Sequence, residues 1–191
     1  LAHMIGKNFS KIYRIEVNII YFCNVSSMDF HIIRKINKKN NMKLLITGGT
    51  GTIGKEITKI ALKKKYKVNI LTRNKSITSI NENLNYFFWN PVTKEIDSKC
   101  FEDIDSVINL AGFNVFNFWV KKNKSKILDS RLNSTTFILD EINKRNIKLK
   151  SFINASGISA YKSSYSNYYS EYDAISDKNN FINQVVINLE S

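Results

Sequence analysis

Glycines stand at positions 48, 51 and 54 of the run Thr47-Gly48-Gly49-Thr50-Gly51-Thr52-Ile53-Gly54. Gly48 lets the chain turn tightly off a strand, and Gly51 lets the backbone approach a pyrophosphate. Gly54 lets a following helix pack close to that strand. The amides of Thr52 and Ile53 would open the helix, where free N–H groups and the positive dipole end favour phosphate. Glycine spacing alone is weak evidence; an apolar strand before it and a helix after it are the confirming context. Thr72-Arg73-Asn74-Lys75 lies where an NAD site usually carries an acid for the ribose 2′-hydroxyl. An arginine fork clamps a 2′-phosphate that an acid would repel, so Arg73 points to NADP(H) over NAD(H). The bland alternative is a surface arginine in a lysine-rich chain. Both histidines, His3 and His31, precede the domain, and Cys23 and Cys100 lie far apart. A histidine base, a disulfide framework and a metal site are therefore unsupported.

The elements that must position these residues alternate in type. Lys43 to Thr47 reads as an apolar strand, and Ile53, Ile57, Ile60 and Ala61 repeat at helical spacing over 53–64. Lys67–Thr72 is a second strand, and Tyr86–Trp89, closed by the lone proline Pro91, is a third. Ser106–Ala111 is a fourth strand ending at Gly112, followed by a long helix over 121–146 and a fifth strand, Ser151–Ala155. Strands alternating with helices predict parallel βαβ units, and hence an α/β fold with a doubly wound parallel sheet of the Rossmann type. This nucleotide-binding domain is expected over 42–191.

Residues 1–41 are excluded from that domain and expected to be disordered. Leu1 to Met4 resemble an expression-vector scar. Residues 5–41 read either as a targeting leader or as sequence upstream of a start at Met42, the second being favoured. The chain would then be cytoplasmic, or organellar if the leader is genuine. The 191 residues carry a net charge of +13, 43% hydrophobic and 24% charged residues, a globular composition. No apolar run approaches the roughly 20 residues of a membrane span. Seven basic and two acidic residues in 1–41 leave +8 for the rest, spread among asparagines and isoleucines. That scatter favours a solvated surface that attracts an anionic ligand over a nucleic-acid face.

Trp89-Asn90-Pro91, Val107 to Gly112, Trp119 with Lys124, Ile127-Leu128-Asp129-Ser130-Arg131, Ala155-Ser156-Gly157 and Asn180-Phe181 to Leu189-Glu190 occur in one order. With the G-x-x-G-x-x-G turn they resemble the atypical short-chain dehydrogenase/reductases of the NAD-dependent epimerase/dehydratase type, family 39U. The likeness runs from Met42 to the end. It implies an NADP-binding Rossmann domain, with Leu110, Ala111 and Gly112 beside the cofactor. Ser156, near the nicotinamide, would polarise a substrate oxygen or would simply cap a loop. Arg131 would steady an anionic substrate or tie the long helix to the sheet, the second being slightly favoured. Glu171 matches a family acid placed on the substrate side without an assigned role.

The broader superfamily uses a Tyr-x-x-x-Lys pair, whose i, i+4 spacing lets lysine lower the tyrosine's pKa. No tyrosine here has a lysine four residues later. Phe181 falls at the tyrosine position and Val185 at the lysine position, so the standard proton transfer is excluded. Tyr161, Tyr165, Tyr168, Tyr169 and Tyr172 crowd a polar stretch that would supply a substitute acid, a lid, or only a surface loop. Family chains continue past residue 191, so the C-terminal substrate lobe is expected to be absent here, with exposed apolar faces favouring self-association. The leading expectation is an atypical epimerase or oxidoreductase acting on an unknown small molecule. A catalytically silent scaffold or redox sensor is the alternative, and a basic nucleic-acid or organelle-associated protein the third.

Overall fold

Lys43-Leu44-Leu45-Ile46-Thr47 is apolar on both sides of the strand, as a strand covered on both faces must be. The computed structural model describes residues 17–22, 42–79, 81–114, 120–157, 166 and 181–190. Its strands are β1 (Val17–Phe22), β2 (Lys43–Thr47), β3 (Lys67–Thr72), β4 (Leu84–Asn90), β5 (Glu95–Ile96), β6 (Ser106–Asn109) and β7 (Ser151–Gly157). Its α-helices are α1 (Thr52–Lys63), α2 (Lys121–Lys144) and α3 (Phe181–Glu190), with a short 3-10 turn at Ser98–Phe101.

The strands form one sheet in the order β1-β7-β6-β2-β3-β4-β5, parallel throughout except for β5. Alternate side chains serve opposite layers. Leu44, Ile46, Val68, Ile70, Ile108 and Ile153 pack with Ile57 and Ala61 of α1. Leu45, Leu71, Val107 and Phe152 pack with Phe137, Ile138 and Ile142 of α2. Helices on both faces make the sheet doubly wound, as the alternation of elements implied. On the α2 side, Val185 and Leu189 of α3 close over Ile127.

Three differences from the sequence reading have local causes. The stretch given no fold of its own supplies β1, which pairs in parallel with β7 from Val17↔Phe152 to Phe22↔Gly157. Val-Asn-Ile-Ile-Tyr-Phe is rich in strand formers, and β7 would otherwise present an open edge. The strand expected at Tyr86–Trp89 spans Leu84–Asn90 and returns as a hairpin through β5, where Trp89 pairs with Ile96. Lys94 takes the left-handed turn conformation at φ 56°, with no glycine to announce it. The strand expected to reach Ala111 ends at Asn109, because Leu110 and Ala111 turn their amides onto the Thr47 hydroxyl, each at 3.1 Å. Among the described residues no helix is long and apolar enough to cross a membrane.

Candidate functional site

The glycine turn sits at the carboxyl end of β2 and opens α1. Gly48 has φ +66°, and a Cβ there would lie 2.8 Å from the Leu110 carbonyl oxygen. At Gly54 a Cβ would come within 2.3 Å of the Gly48 oxygen, so the first turn of α1 rests directly on the loop. The Gly51 amide donates to the Gly48 oxygen at 3.0 Å, and Gly51 caps α1 with no side chain. No acidic residue lies in the first turn of the helix. Its leading amides therefore face the cleft with no side-chain acceptor, the arrangement that binds a phosphate. These glycines leave a cradle that any larger residue would fill, which fits a dinucleotide's pyrophosphate.

Two adjoining hollows run along the carboxyl ends of the strands. One, of about 510 Å³, is bordered by Gly48, Gly51, Arg73 and Asn74, then Trp89 to Val92, and Leu110 to Phe113. Arg73 is exposed at the end of β3. The loop beyond it is fixed by Asn74 N–H donating to Thr72 Oγ1 (3.1 Å) and Ser76 N–H donating to Asn74 Oδ1 (2.9 Å). Lys75 Nζ lies 4.2 Å from the centre of the Phe88 ring, adding a second cation at this end.

The other hollow, of about 720 Å³, extends from Gly48–Gly54 past Leu110, Ala111 and Gly112 to Arg131, Ser156 and the α3 face of Ile182, Val185, Val186 and Leu189. Thr52 and Ile53 border it as well. The structure thus gathers every expected cofactor residue along one cleft. Ser156 lies half-buried at the end of β7. Arg131 Nη1 donates to the carbonyls of Phe113 (3.0 Å) and Ile127 (2.8 Å), and Ser130 Oγ accepts the Phe113 amide at 2.8 Å. The Ser-Arg pair thereby clips the loop after β6 to α2. Burial holds the Arg131 pKa below the ordinary arginine value, and no carboxylate pairs with it among the described residues. Among the described residues it is a cation bordering a cavity without a counter-charge.

Phe181 opens α3, its ring 5.3 Å from Lys124 Nζ, and Val185 is buried at 4% exposure against Ile127 and Leu189. The two positions expected to match the superfamily's tyrosine and lysine are thus apolar: Val185 borders the hollow, and Phe181 packs against the same cluster. Glu171, Trp119 and the tyrosines at 161, 165, 168, 169 and 172 fall outside the described residues. No group of acidic, histidine or cysteine side chains suited to a metal occurs among those described.

Sequence reasoning missed the polar floor of the cleft. Thr47, Asn109, Thr135 and Asn154 are all buried, and their side chains bond to one another beneath the larger hollow. Polar residues ending two apolar strands, Thr47 and Asn109, and interrupting a third at Asn154, were the available signal.

Comparison with known proteins agrees with this geometry. The sequence profile of the NAD dependent epimerase/dehydratase family matches residues 44–187. Epimerase family protein YfhF of Bacillus subtilis is 34% identical over 137 residues, covering 72% of this chain and 45% of its own. Epimerase family protein SSP1921 of Staphylococcus saprophyticus is 35% identical over 127 residues, covering 66% of this chain and 41% of its own. The chain thus spans less than half the length of these relatives. Among solved structures, a UDP-glucuronic acid 4-epimerase from Bacillus cereus, in complex with UDP-glucuronic acid and NAD, superposes with TM-score 0.63. It is 25% identical, with 78% of this chain and 50% of that one covered. A human epimerase family protein solved with NADPH shares the fold at TM-score 0.63 and 23% identity, covering 78% and 48%. Glycine cradle, sheet order and profile match converge: the chain belongs to the NAD-dependent epimerase/dehydratase family.

Proposed function

We propose that this chain binds NADP(H) in preference to NAD(H), and that any reaction it supports runs without the tyrosine–lysine pair of its superfamily. The observation that carries the reading is Arg73, which borders the same hollow as Gly48 and Gly51 where an NAD-selective protein places a carboxylate. Its guanidinium and the nearby Lys75 supply the positive charge that a 2′-phosphate requires. Gly48, Gly51 and Gly54 with the amides of Thr52 and Ile53 would hold the pyrophosphate, and Leu110 to Gly112 would run beside the dinucleotide. When bound, the nicotinamide supplies hydride transfer. Ser156 would then bond a substrate oxygen, and Arg131, which has no carboxylate partner among the described residues, would receive an acidic group of the substrate. The apolar side chains of Phe181 and Val185 also favour a second reading, a nucleotide-binding scaffold or sensor that turns nothing over.

Titrations with NADPH and NADH, on the wild type and on Arg73→Ala, test the cofactor reading. Wild type should bind NADPH about tenfold more tightly, the worth of one charge-assisted pair, and Arg73→Ala should erase that margin. Tighter binding of NADH by the wild type would sink the proposal. Turnover of NADPH with a panel of sugars and carbonyl compounds separates an enzyme from a silent scaffold.

A further inference from the structure

The hydrogen bonds under the cleft form a chain whose direction is dictated by the backbone. The amides of Leu110 and Ala111 can only donate, and both donate to Thr47 Oγ1 at 3.1 Å. The Thr47 hydroxyl must therefore spend its own proton on the Asn109 side chain, where Oδ1 accepts it. With its oxygen thus assigned, the Asn109 NH2 group donates to Thr135 Oγ1 at 2.9 Å and to Asn154 Oδ1 at 2.7 Å. Thr135 Oγ1 adds a second donor to Asn154 Oδ1 at 3.3 Å. Each link fixes the orientation of the next, so the Asn154 amide cannot flip without setting donor against donor.

The chain ends on the Asn154 NH2 group. Asn154 is 3% exposed and borders the larger hollow, yet its Nδ2 meets no acceptor among the described residues. That donor opens onto the hollow rather than being sealed in the core, where Asn69 Oδ1 is the one buried side-chain atom left without a partner among the described residues, so a ligand oxygen can reach it directly. The network holds this donor in place before any ligand arrives, so little ordering is needed on binding. The larger hollow continues from the glycine turn away from Arg73, the 2′-phosphate end of the cleft. The end of a dinucleotide that lies there is its nicotinamide ribose and ring.

We propose that the Asn154 side-chain amide is a dinucleotide-binding group, donating to an oxygen of the nicotinamide half, either a ribose hydroxyl or the ring carboxamide. This rests on the dinucleotide reading above. It assigns to the floor of the sheet a neutral contact that reads the reactive half of the cofactor, as Arg73 reads the other half.

Two substitutions and two ligands test it. Asn154→Asp keeps an oxygen for Asn109 and Thr135 but replaces the donor, and Asn154→Leu removes the donor without adding charge. NADPH carries both halves of the dinucleotide, whereas adenosine 2′,5′-bisphosphate lacks the nicotinamide half. Both variants should bind NADPH about tenfold more weakly, and Asn154→Leu should hold adenosine 2′,5′-bisphosphate within about twofold of wild type. Unchanged NADPH binding, or equal loss of both ligands, overturns the proposal. Wild type that binds neither ligand would instead mark failure of the dinucleotide reading itself. Should the variants not fold, side-chain amide NMR of wild type decides. NADPH should shift the Asn154 NH2 signals and adenosine 2′,5′-bisphosphate should leave them in place; no shift with NADPH refutes the assignment.

Discussion

The two ends of the cleft are built from different materials. At the β2–α1 turn the cleft is made of backbone: Gly48 and Gly54 bring loop and helix into contact that no Cβ would permit, leaving the amides to meet a phosphate. At the β7–α3 end the cleft is lined by side chains, apolar at Val185, the position the sequence reading matched to the superfamily's lysine, and at its neighbours. Val185 is packed against Ile127 and Leu189, and the polar groups beneath, Asn109, Thr135 and Asn154, are neutral. Backbone recognition tolerates other side chains around it as long as the glycines stay. Proton transfer does not, because it needs particular side chains at particular places. The difference separates what would hold a dinucleotide from what would use it.

The largest effect should come from forcing the reactive end back to the superfamily pattern. In Phe181→Tyr/Val185→Lys, the new ammonium would enter an apolar cluster with no counter-charge, costing about 3–5 kcal/mol of stability. Denaturant melts should show that loss with no gain in turnover. A stable, active double variant would mean that the apolar residues here are no barrier to the superfamily's proton transfer. At the other end Gly54→Ala places a methyl group where the Gly48 oxygen stands. The turn must shift, and NADPH binding should fall by about 100-fold or more in isothermal titration. Retained affinity there would break the claim that backbone contact makes the phosphate site.

The same contrast explains what could be read in advance. The turn was legible because its determinants are local: a strand, three spaced glycines and a helix lie within 43–64. The position of Arg73 at the cleft was legible because it directly follows the next strand. The polar floor was not, since Thr47 meets Asn109 across 62 positions and Asn109 meets Asn154 across 45. Each is an unremarked strand residue until the sheet order brings them together. Strand β1 escaped for a related reason, its partner β7 lying at the far end of the chain. The clip made by Ser130 and Arg131 was anticipated only in outline. That it holds the Phe113 loop depends on where the chain after β6 turns, which no spacing rule gives.

The smallest effect concerns the layer beneath both ends. Cys100 is fully buried, its carbonyl accepting from Asn69 Nδ2 at 2.9 Å. Burial, then the nearby Asp97 charge, pushes its thiol pKa far above the ordinary value. With the folded pKa raised, the folded chain holds this proton in alkali after the unfolded chain has released it. The contribution is complete below the unfolded pKa near 8.5 and declines as pH rises above it. Between pH 8.5 and 9.5 the thiol alone should lower unfolding free energy by about 1 kcal/mol, and Cys100→Ala should flatten that slope after its own cavity cost is subtracted. Because Cys100 itself borders neither hollow, lying in the core behind Leu71 and Trp89, NADPH affinity should not follow this pH dependence. Parallel loss of affinity and stability would tie the dinucleotide end to the core more tightly than a backbone-made site requires.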